Sequence, residues 1–127
     1  MTIHFTVTYP KVDRAYPYAE AQRDYYRPTW FDSKLDRTDV LDLIFAKMGN
    51  VPSAGMWFPW FRSLQTRSMS VGDVVRFADE PTAYICDTCG WLHVSWAMAQ
   101  SWLNFKRQYG CDMFELKQWK RAVGLDK

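Results

Sequence analysis

The chain has 127 residues, 48% hydrophobic and 24% charged, and its 16 basic and 14 acidic side chains leave a net charge of +2. That length fits one domain able to bury about two-thirds of its unfolded surface, and the apolar content excludes disorder as the default state. So even a balance of charge excludes strong sequence-independent nucleic-acid binding, which draws on clustered Lys and Arg.

Residues 2–9 alternate, with Ile3, Phe5, Val7 and Tyr9 on one side and Thr2, His4, Thr6 and Thr8 on the other; this is the pattern of a half-buried strand. Pro10 ends it. Residues 10–37 read mainly as an aromatic connection wrapping the core, with two helical turns over Ala19–Tyr26 between Pro17 and Pro28. A helix opens at Thr38, a capping residue, with Asp39 in its first turn and Gly49 at its stop. Its apolar stripe is Val40, Leu41, Ile44, Phe45 and Met48. The following segment, residues 50–61, holds two prolines and a glycine, which argue against regular structure. Asp73–Phe77 reads as a strand, residues 78–82 as a turn, and Ala83–Cys86 with Trp91–Val94 as a hairpin closed by Asp87-Thr-Cys-Gly90. These three strands form an antiparallel meander that strand 2–9 can join. Ser95 caps a helix reaching Tyr109, with Met98, Trp102, Phe105 and Tyr109 on one face. Asp112 and Glu115 open a last helix that carries Leu116, Trp119 and Val123 and stops at Gly124. The fold class is α+β: a small antiparallel sheet, curling toward a barrel, packed with about three helices on one face or end.

Cys86-Asp-Thr-Cys89-Gly90 is the sharpest chemical candidate, because a Cys-x-x-Cys-Gly turn can present two thiolates to zinc. A closed site needs four ligands, and His93 and Cys111 complete the set, with His4 in reserve; a second paired motif is missing. The plainer reading is a pair of small, semi-buried cysteines in a hairpin. A redox role would want the pair at a helix N-terminus, and here it precedes a glycine and a strand. No cofactor is expected apart from this zinc alternative.

Aromatic residues make up 17% of the chain, so some rings are expected at the surface, where they favour binding. Met56, Trp57, Phe58, Trp60 and Phe61 form the densest apolar cluster, either a contact surface or an irregular plug on the sheet. The C-terminal stretch 101–127 carries six basic and three acidic side chains. There Lys106, Arg107, Lys117, Lys120 and Arg121 interleave with Trp102, Phe105 and Trp119, a mixture that can hold single strands by charge and stacking. Helical spacing also allows an aromatic core face with a solvated basic face. Ser68, Ser70 and Asp73 invite comparison with a hydrolytic set, but nothing places His4 or His93 beside them, and the run reads as a turn. No paired-carboxylate set or phosphate-binding glycine loop is present, so an enzyme is not expected.

The run Ser68-Met-Ser70-Val-Gly72-Asp73-Val-Val75, followed by Tyr84 and the Gly90-Trp91 pair, resembles the signature of the YodL-like family, small proteins of phages, plasmids and bacteria. The resemblance is best over residues 38–94, with 95–127 as a helical extension of a single domain. It implies that the Ser-Val-Gly-Asp run is structural, that the Gly-aromatic pair rather than the cysteines is the constant element, and that segment 56–61 is particular to this chain. It implies no agreed chemistry. The expected function is that of a non-enzymatic phage or mobile-element accessory protein binding a host macromolecule, a protein first and a nucleic acid as the alternative. No apolar run reaches about 18 residues and the N-terminal alternation is unlike a leader peptide. A place in the cytoplasm of a bacterial host is therefore expected, with the cysteines as thiols.

Overall fold

The computed structural model describes residues 2–10, 19–26, 37–48, 57–64, 69–109 and 113–125. In chain order these form β1 (Thr2–Tyr9), β2 (Ala19–Tyr26), α1 (Arg37–Lys47), α2 (Trp57–Ser63), β3 (Val74–Phe77), β4 (Thr82–Asp87), β5 (Gly90–Ser95), α3 (Trp96–Tyr109) and α4 (Met113–Ala122). The strands make one antiparallel sheet in the order β2-β1-β3-β4-β5. The expected α+β fold stands, but the sheet is open: β2 and β5 are its two edges and do not pair, so no barrel forms.

Two local expectations are corrected. Residues 19–26 are a strand, not two helical turns, and pair along the whole of β1 from Thr2↔Tyr26 to Tyr9↔Ala19. The inward side of this strand, as far as its side chains are described, is made by Ala19 and Ala21, the latter buried, and by Arg23, whose guanidinium lies 4.9 and 4.7 Å from the ring centroids of Trp57 and Trp60. An arginine stem does the work of an apolar side chain there, which hides the period of two. Residues 57–63 are a helix, α2, despite Pro59. The proline lies in the first turn, where its missing N–H has no intrahelical partner to lose.

The helices cover both faces of the sheet rather than one, and the alternation of β3 and β4 shows why. Val75, Phe77 and Tyr84 join Phe5, Val7 and Tyr9 in a core closed by Leu41 and Ile44 of α1 and by Trp57 and Phe61 of α2. The intervening residues Val74, Ala83 and Ile85 face the other way and join Val94, Trp102 of α3, and Leu116 and Trp119 of α4. Two cores therefore share one sheet, as the pleat demands. In α1 the stripe is Val40, Leu41 and Ile44, with Met48 just beyond; Phe45 is turned out.

Helix ends follow the sequence. Ser95 Oγ accepts from the Met98 N–H at 3.1 Å, the cap expected for α3. At the end of α4 the Leu125 N–H bonds the Lys120 carbonyl at 2.8 Å and the Gly124 N–H bonds that of Arg121 at 3.3 Å, with Gly124 at φ +81°. This is the Schellman arrangement.

Candidate functional site

The Ser-Val-Gly-Asp run is a turn, as read. Asp73 N–H bonds the Ser70 carbonyl at 3.1 Å, Gly72 stands at φ +95°, and Asp73 Oδ2 accepts the Ser70 N–H at 2.8 Å. The turn is sewn to both neighbours. Gly72 N–H donates to the Cys86 carbonyl at 2.8 Å, and Trp102 Nε1 of α3 donates to the Gly72 carbonyl at 2.8 Å. Its backbone groups and the Asp73 carboxylate thus serve the fold, and Ser68 lies outside the described residues.

Cys86 is buried on β4 and Cys89 is exposed in the two-residue turn between Asp87 and Gly90. Burial, with Asp73, Asp87 and Asp42 nearby, pushes the Cys86 thiol up to about 12. It is held protonated, the reverse of what a redox or nucleophilic cysteine needs. The register sets His93 opposite Tyr84 rather than Cys86, and its Nε2 lies 2.7 Å from Thr82 Oγ1. Cys111 lies outside the described residues. Among those residues no three His, Cys, Asp or Glu side chains converge as metal ligands.

Of the aromatic segment, Trp57 and Phe61 are core residues, 8% and 2% exposed, and Trp60 is half-buried edge-on to Trp57. Trp57 also stacks on Phe5 at 5.6 Å. Trp57 and Phe61 are therefore packing residues, because a surface contact needs rings that water reaches. Met56 lies outside the described residues, as does the side chain of Phe58.

The basic candidates separate in the same way. Lys106 is buried, with its ammonium 5.8 Å from the Trp102 ring, and Lys120 is paired to Asp87 Oδ2 at 2.8 Å. Arg107, Lys117 and Arg121 are exposed. Trp102 and Trp119, the rings meant to stack on bases, are 1% and 2% exposed and sit in the second core. What remains for a nucleic acid is three cations without those stacking rings.

Two features were not legible in advance. The first is a polar corner at the β3–β4 turn. Glu80 Oε1 lies 2.6 Å from Arg37 Nε, while its Oε2 accepts from Tyr84 Oη at 2.8 Å and Thr82 Oγ1 at 3.1 Å. With its one proton on Glu80, Thr82 accepts from His93 Nε2–H. The His93 ring stacks on Tyr84 at 4.3 Å, and Arg37 covers Phe77 at 4.2 Å. Burial, then Glu80, raise the Tyr84 phenol to about 12. Arg37 and Glu80 are 43 positions apart in the chain, and no local spacing announces such a meeting.

The second is the β5 edge. Cys86 exchanges backbone bonds with Gly72 and Asp73 on the β3 side, so Asp87, Ile85 and Ala83 turn theirs toward Gly90, Leu92 and Val94. The N–H and C=O groups of Trp91 and His93 consequently point away from the sheet. Trp91 is half-buried, donates Nε1–H to Asp42 Oδ1 at 3.0 Å, and meets Phe45 of α1 edge-on at 6.4 Å. Phe45 is 43% exposed and is the one large hydrophobic residue in that class among the described residues. The missed signal was Phe45 itself, at the margin of its helical stripe.

No protein-family model matches this chain, and no curated protein or solved structure is found to match it either.

Proposed function

We propose that this protein is a non-enzymatic accessory protein of a phage or mobile element, acting inside a bacterial host by binding a host protein at the β5 edge. The observation that carries the reading is the character of that edge. β5 (Gly90–Ser95) contains no Lys, Arg, Asp, Glu or Pro, whereas the opposite edge strand β2 carries Glu20, Arg23 and Asp24. Charges and prolines are how edges are protected from pairing. An uncharged edge flanked by an exposed Phe and a half-buried Trp is suited to accept an added strand and anchor it on rings. The resemblance of residues 68–91 to the YodL-like signature supports the phage setting, and family analogy alone does not establish function.

The test is capture from host lysate on tagged protein, with nuclease, for the wild type, His93→Pro and His93→Ala. His93→Pro removes an outward N–H without touching a β4–β5 bond, while His93→Ala keeps that N–H and loses the same ring. One host protein retained by the wild type and by His93→Ala but not by His93→Pro is the expected result. Equal retention by all three sinks the edge reading. Capture that disappears with nuclease moves the weight to the cations Arg107, Lys117 and Arg121, and to binding that weakens steeply with salt.

A further inference from the structure

Asp42 and Phe45 stand three residues apart on α1 and so share one face of the helix. Both are exposed, and both meet Trp91. The Asp42 carboxylate accepts the indole N–H at 3.0 Å, and the Phe45 ring stands edge-on to the indole with 82° between the planes. Two rings and a carboxylate thus form a corner on the α1 side of the β5 edge. We propose that this corner holds an arginine side chain of the strand that docks on β5. The proposal rests on the edge reading above and adds to it the chemistry of the partner.

The backbone of β5 decides where such a side chain falls. Trp91 and His93 turn their N–H and C=O groups outward, so an antiparallel guest strand pairs two of its residues with these two. Residues paired in this way share a face of the sheet, with Cβ atoms about 5 Å apart. The guest residue opposite Trp91 therefore projects on the α1 side, alongside the indole. The Asp42 carboxylate lies at the far end of that indole. A side chain running the same course needs the length of an arginine to reach it. The alternate residues of the guest strand fall on the other face beside Leu92, which is half-buried and apolar.

Charge selects the guest residue. Asp42 accepts one hydrogen bond from a neutral donor, and among the described residues no cation pairs with it. Asp87, on the opposite face of the same hairpin, is neutralised by Lys120 at 2.8 Å. Arg37, at the start of α1, is engaged by Asp79 and Glu80. The negative charge is felt locally: burial first, then Asp73, Asp87 and Asp42, raise the thiol of Cys86, the residue that pairs with Trp91 across the hairpin. An exposed ring beside an unpaired carboxylate suits a guanidinium, which lies flat on the ring and keeps its N–H groups in plane for the oxygens. A second copy of this chain pairing through its own β5 brings no such group, because β5 contains neither Lys nor Arg.

The experiment is an NMR titration of the full chain, following the Trp91 indole N–H and the backbone N–H of residue 91, with the peptide acetyl-Thr-Val-Arg-Val-Thr-amide and its Gln-for-Arg and Glu-for-Arg versions up to about 5 mM, a range that reports weak affinity. The expected result is saturable shifts with the Arg peptide, binding weaker by about fivefold or more with the Gln peptide, and the weakest with the Glu peptide. Asp42→Asn keeps an oxygen for the indole N–H and removes the charge; it should abolish the preference for Arg over Gln and leave the binding of the Gln peptide unchanged. His93→Pro should abolish the binding of all three. Equal binding of the Arg and Gln peptides, lost together in His93→Pro, overturns the arginine site and leaves the edge reading standing. A preference for Arg that persists in Asp42→Asn does the same. Arg-selective binding that survives His93→Pro but not Asp42→Asn supports the corner and sinks the edge reading instead. No saturable shift with any peptide, or a dimer in sedimentation that His93→Pro dissociates, overturns the proposal.

Discussion

Gly72 has a backbone angle of +95°, and a Cβ built on it would meet Trp102 Cζ2 at 3.1 Å. Only glycine takes that conformation without strain, and the indole behind it is fixed by its own bond to the Gly72 carbonyl. Gly72→Ala should therefore lower unfolding free energy by about 1–3 kcal/mol for the backbone alone, read as a fall in the urea midpoint. Asp87 makes a second residue-scale prediction. Burial works to raise its carboxyl, but the Lys120 ammonium at 2.8 Å and the Thr88 N–H at 2.7 Å outweigh this and hold it below the usual value. Its folded value lies below its unfolded one. The stabilisation is thus whole above the ordinary carboxylate range and is lost as pH falls through the folded value. Asp87→Asn should cost about 1–2 kcal/mol at pH 7, and the difference from wild type should shrink in denaturation curves taken toward pH 3.

At the scale of elements, two aromatic residues of adjacent helices have opposite roles. Trp57 of α2 is stacked between Phe5 and the Arg23 guanidinium inside the first core, while Phe45 of α1 looks outward. Trp57→Ala should cost about 3–5 kcal/mol; Phe45→Ala should stay within about 1 kcal/mol. Parallel denaturation of the two variants checks the contrast, and similar losses would mean that Phe45 packs as its helical stripe implied. The same elements show what sequence can and cannot disclose. β1 was legible from its alternation, and β3, β4 and β5 as short apolar runs between turns that hold Gly or Pro. α3 and α4 were legible from their caps and their Trp spacing. β2 was not, because the described side chains of its inward side are two alanines and an arginine stem, and α2 was not, because a proline in a first turn looks the same as a proline in a loop. The aromatic excess divides in the same way: arginines from other elements lie over Trp57, Phe77 and Trp96, while Phe45 is exposed and Trp60 and Trp91 are half-buried, so some rings do reach the surface as expected. The corner built on Glu80 depends on that long-range arrangement and has no local signature.

For the whole molecule the decisive fact is that both cores are built on β3 and β4. Val74 and Val75, or Tyr84 and Ile85, are chain neighbours that enter opposite cores. Neither core can dissolve while the strands stay paired, and the strands cannot part without emptying both. Unfolding should be a single cooperative step. Fluorescence of a Trp57→Phe variant, weighted to the second core, and of a Trp102→Phe, Trp119→Phe variant, weighted to the first, should each follow far-UV circular dichroism of the same protein through one transition. Separated midpoints within either variant would mean the sheet does not couple the faces. The unequal edges carry a further consequence. With three charged side chains on β2 and none on β5, the sheet can be extended on one side only. A strand that docks on β5 finds no second docking edge across the molecule, so association by this route terminates after one event and does not run on into a fibre.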